Sequence, residues 1–460
     1  MTSITLAIAL AALSFDGGPI RLHPENARYF VFRGAPTFLI TSGEHYGAVL
    51  NRDFDKVPYL DELKDRGFNL TRVFSGTYRE IPGSFKIQAN TLAPKRGRLA
   101  SPWLQVQGPG EPEKFDLDRF DESYFRRLKE FVTEAGSRGI VVEYVLFCPL
   151  YGEDLWAANP MNASNNVNGV GECKSTEVLT LKHPDLLDRQ LAFVRKVVSE
   201  LNLFDNVYFE ICNEPYFGGV TLDWQAKVAE TIVEAEKPLT HKHMIAQNIA
   251  NGKARVEEPN PAVSLFNFHY ASPPDLVAMN SGLKAALGDD ETGFQGTGDR
   301  FYRREAWEFL MAGGSLYNNL DYSFTVDHPD GSAEVKDPTP GGGGRAFRSQ
   351  LSVLKRFFSG LDFLHMSPMP PLIAGSKLPE GARAYALGRP GEYAVYVGGG
   401  PRATLSLKLS PGHYRYEWID SMTGDSLKSG IIEANGPVML ESPEYREEAA
   451  LRISQESKLP

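Results

Sequence analysis

Two acidic residues follow apolar segments of the sequence and could act as a pair of reacting carboxyl groups. Glu214 lies in Asn213-Glu214-Pro215, directly after the run VYFEIC, and Glu291 lies in the segment GDDETGF. A carboxylic acid can donate a proton to a leaving group, and a carboxylate can attack as a nucleophile. Asn213 could hydrogen-bond a substrate hydroxyl beside Glu214. A helix cap or a loop turn is the structural alternative for this tripeptide.

Glycoside hydrolysis is a reaction that requires two carboxyl groups facing each other across the substrate. Enzymes that retain the anomeric configuration place them about 5–5.5 Å apart, and inverting enzymes place them about 6.5–9.5 Å apart. Glu214 and Glu291 satisfy this requirement in residue type and in position along the chain. Asp289 and Asp290 compete with Glu291 for the nucleophile position, and an acidic loop is the structural alternative for all three.

The elements that must position these residues are eight short apolar runs, which are typical of the buried strands of a parallel sheet. They are PTFLITS from Pro36, NLTRVF from Asn69, IVVEYVLF from Ile140, VYFEIC from Val207, HMIAQN from His243, VSLFNF from Val263, AALGDD from Ala285 and SLYNNLDYSF from Ser315. Eight strands alternating with helices predict an α/β fold, a (β/α)8 TIM barrel over residues 20–365. Residues just beyond the carboxyl ends of such strands form the active site.

Six of the segments between the runs carry apolar residues at helical spacing. The six stripes begin at Phe54, Phe125, Leu187, Trp224, Phe301 and Phe347. The segments after Asn248 and Tyr270 carry weaker patterns, so two helices are expected to be short or irregular. Two long polar insertions, 75–118 and 149–182, each follow a strand. Long loops at this end of a barrel are expected to wall a binding site.

The composition changes after residue 365. MSPMPPL from Met366 predicts a Pro-rich linker over 366–376. Six short alternating runs follow, separated by turn-forming residues: ARAYAL, EYAVYV, ATLSLKL, HYRYEWID, PVMLES and AALRIS. Regularly spaced short strands of this kind predict a small C-terminal β-sandwich over 377–460.

Length, charge and composition exclude several classes of protein. The chain has 460 residues, of which 42% are hydrophobic, as is typical of a globular protein. Lys and Arg number 48 and Asp and Glu number 58, and the net charge of −10 argues against a nucleic-acid partner. Three cysteines are too few for a disulfide scaffold. Cys148, Cys173 and Cys212 are expected to be free thiols, with one disulfide to Cys173 as the alternative.

Residues 1–19 contain an apolar run from Ile4 to Phe15. The run is too short to span a bilayer, so no membrane insertion is expected. Its length favours a signal peptide, which would make the protein secreted or periplasmic. No Lys or Arg precedes the run, which is unusual for a signal peptide. An N-terminal extension of a cytoplasmic protein is the alternative.

The order of these motifs resembles that of clan A glycoside hydrolases, and the likeness is closest to glycoside hydrolase family 5. SGEHYGAVLN from Ser42 and YLDELKDRGFNLTRVFSG from Tyr59 look like the first βα unit of cellulase-like barrels. HYRYEWIDSMTGDSL from His413 resembles the centre of a C-terminal β-domain of the collagen-binding type. The resemblance implies a retaining glycoside hydrolase that acts on a carbohydrate and needs no metal or organic cofactor.

The resemblance also implies roles for individual residues. Glu214 matches the general acid/base and Glu291 the nucleophile, while Asn213 matches the residue that contacts the sugar 2-hydroxyl. Arg72, at the end of the second strand, matches the arginine that keeps the nucleophile ionised, because an adjacent cation lowers a carboxylate pKa. The acid/base is expected to have a raised pKa instead.

His269 or Tyr270 matches the residue that hydrogen-bonds the nucleophile or the sugar. The sequence departs from the clan after the eighth strand, where an aromatic platform, usually Trp, is absent. Tyr322, or else Trp103 or Trp156 on the long insertions, is the candidate to replace it.

Glu44 and His45 follow the first strand and could bind the hydroxyls of a terminal sugar, which would favour exo action. A helix-capping pair is the alternative for these two residues. A non-catalytic glycan- or matrix-binding protein on the same fold is the alternative from another functional class, because a fold does not fix a function. The presence of both Glu214 and Glu291 argues against it.

Overall fold

The fold was analysed in a computed structural model that describes residues 17–106 and 114–456. Most of the segment predicted to be a signal peptide, residues 1–16, lies outside the described residues. Among the described residues, no helix combines the length and the apolar character needed to cross a membrane.

The strands fall into three groups along the chain. The first group is a small antiparallel sheet formed by β1 (Arg21–Leu22), β2 (Phe30–Phe32) and β3 (Ala35–Thr37). The second group contains β4 (Leu39–Gly43), β5 (Leu70–Phe74), β6 (Trp103–Gln105), β7 (Phe115–Phe120), β8 (Val141–Phe147), β9 (Val207–Cys212), β10 (Ile245–Asn251), β11 (Leu265–His269), β12 (Ala286–Thr292) and β13 (Leu316–Leu320). The third group contains β14 (Ser367–Pro368), β15 (Arg383–Arg389), β16 (Glu392–Gly398), β17 (Thr404–Leu407), β18 (Gly412–Asp420), β19 (Ser426–Ala434), β20 (Val438–Glu441) and β21 (Glu448–Gln455).

Eight parallel strands of the second group form the barrel. Their order is β4-β13-β12-β11-β10-β9-β8-β5, and β6 with β7 forms a separate hairpin within the 75–118 insertion. The two end strands meet where Asn69 N donates to Ile40 O (3.3 Å) and Ile40 N donates to Asn69 Oδ1 (3.0 Å). The sheet is therefore nearly closed, and all eight predicted strands are confirmed.

The helices are α1 (Lys56–Asp65), α2 (Glu122–Ser137), α3 (Glu153–Ala157), α4 (Pro184–Leu201), α5 (Leu222–Glu236), α6 (Asp275–Met279), α7 (Asp299–Met311) and α8 (Arg345–Ser359). The six stripes of the sequence correspond to α1, α2, α4, α5, α7 and α8. No α-helix joins β10 to β11, and α6 has only five residues, as the weak patterns there predict. Three helices begin at capping side chains, because Asp55, Asp121 and Thr221 each accept a hydrogen bond from the first turn.

The barrel interior is apolar at the amino-terminal ends of its strands. Every barrel strand contributes one buried side chain to a single cluster, which also contains Ile20 and Phe30 from the N-terminal segment. The strand residues are Leu39, Leu70, Val141, Tyr208, Ala246, Leu265, Ala286 and Leu316. The small sheet β1–β3 thus closes the amino-terminal end of the barrel.

The C-terminal strands form a β-sandwich, as predicted. A six-stranded sheet, in the order β14-β15-β16-β21-β18-β19, packs on the two-stranded sheet β17-β20. Leu405, Leu407 and Leu440 of the smaller sheet share one core with Val395 and Trp418 of the larger sheet. Strand β19 was not predicted, because it lies at the edge of its sheet and most of its side chains are exposed, so its apolar alternation is weak. The Pro-rich segment contributes β14 and a short 3-10 helix, Pro370–Ile373.

The sandwich packs directly on helix α7 of the barrel. Trp307 stacks on Tyr396, with ring centroids 5.3 Å apart and an interplanar angle of 9°. Arg303 is buried and pairs with Glu447 and Glu448 of the sandwich. This contact explains why α7 is buried on almost every side, unlike a helix that faces solvent.

Candidate active site

A pocket opens at the carboxyl-terminal end of the barrel, where both predicted carboxylates lie. Its cavity volume is about 50 Å³. Its lining residues come from barrel strand ends and from both long insertions: His45, Tyr46, Phe74, Glu80, Phe85, Leu92, Cys148, Tyr151, Asn213, Glu214, Tyr270, Glu291 and Phe294.

Glu214 and Glu291 face each other in this pocket. Glu214 lies two residues beyond β9, whereas Glu291 is near the end of β12. One carboxylate oxygen of each residue and a ring nitrogen of His269 all lie within 4.8 Å of one another. Topology explains the meeting, because parallel strands bring their carboxyl ends to the same edge of the barrel.

Glu291 is held by three groups. Tyr46 donates a hydrogen bond to its Oε2 (2.9 Å), and Tyr270 donates to its Oε1 (2.6 Å). Arg72 Nη1 lies 3.4 Å from Oε2. Both hydroxyls donate to the carboxylate and the guanidinium is positive, so all three groups hold the Glu291 side chain in a fixed orientation.

Glu214 is held by a different set of groups. Tyr151 donates to its Oε2 (2.5 Å), Tyr216 donates to its Oε1 (3.3 Å), and His269 Nδ1 lies 3.3 Å from Oε1. Burial alone would raise the pKa of Glu214, but the contact with His269 and the hydroxyl donors together lower it. The direction differs from the raised pKa expected from the sequence, because His269 supplies a positive charge directly at the carboxylate.

His269 lies between the acidic groups and carries a proton. Its Nδ1 faces Glu214 and Glu291 (3.6 Å to the latter), and its Nε2 faces Asp290 at 3.3 Å. Burial opposes protonation of the ring, but the carboxylates of Glu291, Asp290 and Glu214 raise the pKa of His269 well above its usual range. The imidazolium therefore separates charges that would otherwise repel.

Arg72 forms the floor of the site. Its guanidinium is fully buried and contacts Glu210 (2.6 Å), Asp290 (3.1 Å) and Glu143 (3.9 Å) in addition to Glu291. Burial alone would lower the pKa of Arg72, but these carboxylates raise it well above its usual range. Asn267 Nδ2 completes the network with bonds to Glu143, Glu210 and Asp290.

Asn213 connects this network to the pocket. Its Oδ1 accepts a hydrogen bond from Arg72 Nη2 (2.8 Å), so its Nδ2 must face away from Arg72, where it donates to Tyr151 (3.0 Å). Asn213 is therefore fixed in one orientation beside Glu214.

Within residues 17–106 and 114–456, two groups of acidic and histidine side chains are close enough together to hold a cation. Glu214, His269 and Glu291 form one, and Glu143, Glu210 and Asp290 form the other. A cationic side chain already supplies positive charge to each group. His269 belongs to the first group, and Arg72 contacts the carboxylates of the second.

Backbone strain is concentrated at the pocket. Tyr46, Phe85, Glu214, Tyr270 and Phe294 all line it, and all have a positive φ, between 34° and 61°. Residues other than glycine rarely adopt this conformation, and it costs about 1–3 kcal/mol when imposed by the surroundings. Glu214 is also followed by a proline, which further restricts its backbone. The strain is consistent with side chains that the fold aims into the pocket.

The first-strand pair, Glu44 and His45, separates in the structure. Glu44 is fully buried outside the pocket lining, and its carboxylate accepts hydrogen bonds from Gly47 N, Ala48 N and Thr91 Oγ1. Glu44 therefore satisfies the backbone of a turn and not that of a helix, because α1 begins only at Lys56 and is capped by Asp55. His45 does line the pocket.

The aromatic residues suggested as a platform lie elsewhere. Trp103 and Trp156 are buried, and Trp156 Nε1 donates to Cys173 O (2.7 Å). Tyr322 is also buried and packs behind His45, with ring centroids 5.7 Å apart. None of the three belongs to the pocket lining. The two tryptophans of the insertions pack into the hydrophobic core instead.

Exposed aromatic rings stand at the pocket rim instead. Phe85 and Phe294 line the pocket and are 39% and 41% exposed. Phe217 is 44% exposed and lies 6.0 Å from the ring of Tyr151. Their exposure makes them available to a bound molecule.

The structure adds site residues that the sequence did not single out. Tyr46 and Tyr151 bond the two central carboxylates, and Glu80 lines the pocket from the 75–118 insertion. Tyr46 directly follows Glu44 and His45, so its proximity to the first strand was a usable signal. Tyr151 and Glu80 lie on insertions and carried no such signal. All three cysteines are free.

Glu80 gives the protein a pH-dependent stability that can be measured. Burial raises the pKa of Glu80 from 4.5 to about 7, against the hydrogen bonds from Asn90 and Tyr78. The folded state therefore binds more protons than the unfolded state between these pH values, and stability from this group is lost as pH rises through the window. We expect the Tm of the wild type relative to Glu80→Gln to be higher at pH 5 than at pH 8. An equal difference at both values would contradict this assignment.

No protein-family model matches the sequence, and no curated protein matches it. Solved structures do match. One, named "Glycoside hydrolase", has a TM-score of 0.66 and 15% sequence identity, and the match covers 96% of this chain and 98% of that chain. Another, a glycoside hydrolase family 5 protein from Bacteroides vulgatus ATCC 8482, has a TM-score of 0.64 and 15% identity, with 95% and 94% coverage. Along nearly its whole length, this chain has the fold of these glycoside hydrolases.

Proposed function

We propose that the protein is a retaining O-glycoside hydrolase that acts on oligosaccharides or on plant or microbial glycans. The observation that carries the proposal is the pair Glu214 and Glu291, whose nearest oxygens lie within 4.8 Å in an accessible pocket. Retaining enzymes place their carboxyl groups about 5–5.5 Å apart, and inverting enzymes place them farther apart to admit a water molecule.

Glu291 is the nucleophile in this proposal. Tyr46, Tyr270 and Arg72 contact its carboxylate and fix its orientation. In the first step, a Glu291 oxygen attacks the anomeric carbon, and the bond from that carbon to the leaving oxygen breaks. A covalent glycosyl-enzyme and a free alcohol result.

Glu214 is the acid/base, and it must hold a proton when the leaving oxygen departs. His269 Nδ1 lies 3.3 Å from Glu214 Oε1, and before substrate binds its charge favours the ionised form of Glu214. A bound sugar excludes water from Glu214, which favours its neutral form. In the second step, ionised Glu214 takes a proton from water, and the hydroxide attacks the anomeric carbon and releases Glu291.

The stereochemistry of the product tests the proposal. Aryl glycosides of several sugars are incubated with the protein, and the first-formed anomer is followed by proton NMR before it mutarotates. We expect the product to have the configuration of the substrate. An inverted product would support the inverting mechanism instead. Glycan-array binding without turnover of any substrate would support a non-catalytic glycan-binding protein.

A further inference from the structure

One wall of the pocket is built from a chain of three hydrogen-bonded polar residues that the catalytic steps do not use. Asn90 Nδ2 donates to Glu80 Oε2, and His45 Nδ1 lies 3.1 Å from Asn90 Oδ1. Glu80 and His45 line the pocket and are 3% and 8% exposed. Glu80 N bonds Leu92 O (2.8 Å), which ties the two arms of the insertion together behind this wall.

The direction of each hydrogen bond in the chain is determined. Leu92 N donates to Asn90 Oδ1 (2.8 Å), and a backbone N–H can only donate, so the atom facing it is the oxygen. Asn90 Oδ1 can therefore only accept from His45, which must carry its proton on Nδ1. Burial also lowers the pKa of His45 to about 4, so the ring is neutral and its Nε2 is an acceptor.

The remaining polar groups of the pocket are also acceptors toward a ligand. Tyr46 and Tyr270 donate their hydroxyl protons to Glu291, and Tyr151 donates its hydroxyl proton to Glu214. A hydroxyl has one proton, so only oxygen lone pairs remain on these three side chains. Asn213 Nδ2 is already bonded to Tyr151.

The acidic groups of the pocket also favour a ligand that donates hydrogen bonds. Glu80, Glu214 and Glu291 are three carboxyl groups on one small pocket, each lies within electrostatic reach of another, and Glu80 adds its negative charge above about pH 7. The positive groups, Arg72 and His269, lie beneath them and are engaged by buried carboxylates. A ligand that enters must bring hydrogen-bond donors and must not bring negative charge.

We propose that Glu80, Asn90 and His45 form a recognition site for the hydroxyl groups of a neutral sugar, and that this site excludes uronic acids and sulfated or phosphorylated sugars. The proposal rests on the proposed function, because it specifies the sugar unit that the catalytic pair cleaves. Glu80 accepts from a sugar hydroxyl, as does His45 Nε2, and Asn90 holds both in position. Glu80 is the residue that determines specificity.

The experiment compares two substrates that differ only at C6. The neutral 4-nitrophenyl glycoside that the wild type hydrolyses fastest is compared with the 4-nitrophenyl uronide of the same sugar. We expect the wild type to have at least about 100-fold lower kcat/KM on the uronide. At pH 8, where Glu80 is ionised, Glu80→Gln should raise KM for the neutral substrate roughly 10- to 100-fold, as when a charge-assisted hydrogen bond is lost, with kcat changed much less. The preference over the uronide should shrink at least about tenfold.

Two further variants provide a control and a second test of the site. Glu257→Gln changes an exposed acid on the loop after β10 and should leave both substrates unaffected. His45→Gln should raise KM for the neutral substrate as Glu80→Gln does, so that the proposal remains testable if Glu80→Gln unfolds. Wild-type turnover of the uronide within about threefold of the neutral substrate would overturn the proposal. An unchanged substrate preference in both pocket variants would overturn it as well.

A binding measurement separates this proposal from the proposed function. Saturation-transfer NMR is recorded on the wild type with the methyl glycosides of glucose, galactose, mannose and xylose, and with methyl glucuronide and methyl galacturonide. If no glycoside is hydrolysed, the proposed function fails, but neutral signals that vanish in Glu80→Gln still support the recognition site. Equal signals from neutral and anionic sugars, or no signal from any sugar, would overturn it.

Discussion

Replacement of Glu291 by glutamine is expected to lower kcat on any glycoside that the wild type hydrolyses by roughly 10⁴-fold or more, which is typical when a bond-forming residue is removed. Glutamine fills the same space, but it has no charge and does not attack the anomeric carbon. The contacts from Tyr46 and Tyr270 can adapt to the amide oxygen, so the fold should persist. Single-turnover and steady-state rates of aryl glycoside hydrolysis, with Tm as the folding check, measure the effect.

A small external nucleophile sharpens this test. In Glu291→Gly, azide can occupy the vacated space and attack the anomeric carbon, so the product should be a glycosyl azide of inverted configuration. Glu257→Gln is the matched control, because it removes an exposed acid at the same end of the barrel. Wild-type rates in Glu291→Gln would exclude Glu291 as the nucleophile, and Asp290 or Asp289 would then have to be tested.

Replacement of Arg72 by methionine is expected to destabilise the protein by about 3–5 kcal/mol, which is the usual cost of removing one partner from a buried ionic group. The guanidinium is surrounded by Glu143, Glu210, Asp290 and Glu291, and the first three of these carboxylates are fully buried. The carboxylates should then take up protons, so the variant should lose less stability at acid pH than at neutral pH. Urea unfolding at both pH values measures the difference.

The same variant should also lose activity, since Arg72 contacts both Glu291 and Asn213. Arg303→Met is a matched control, because Arg303 is equally buried and paired with carboxylates but lies at the contact with the sandwich. It should lose stability without lowering the kcat of the folded fraction. Arg72→Met with full stability and full activity would contradict the assigned role of this network.

The barrel could be predicted from the sequence because its signals are local. Each strand is a short apolar run, and six helices carry stripes of apolar residues at helical spacing. The meeting of Glu214 and Glu291 also follows from topology, because each is placed near the carboxyl end of a parallel strand. Residues fixed by strand position were therefore accessible to sequence reasoning.

Residues fixed by loop packing were not accessible in the same way. The sequence suggested Trp156 and Trp103 as rings that stack on a sugar, but both rings are buried within the insertions. The exposed rings of Phe85 and Phe294 lie at the rim of the pocket instead. Glu80 reaches the pocket because the insertion folds back through its backbone bond to Leu92, a contact that no local pattern encodes. Whether the pKa of Glu214 is raised or lowered likewise depends on its distance to His269, and that distance cannot be read from the sequence.

The contact between helix α7 and the sandwich bears on how this protein could be recombined with others. Carbohydrate-active enzymes are often engineered by exchanging terminal modules joined through flexible tethers. Here the terminal unit instead covers a buried face of the barrel, through Trp307 on Tyr396 and Arg303 on Glu447 and Glu448. The covered helix directly follows the strand that carries Glu291. Grafting only residues 20–365 onto another protein would expose the face of α7 that the sandwich covers, next to the strand that carries Glu291. The barrel and the sandwich should therefore be transferred together.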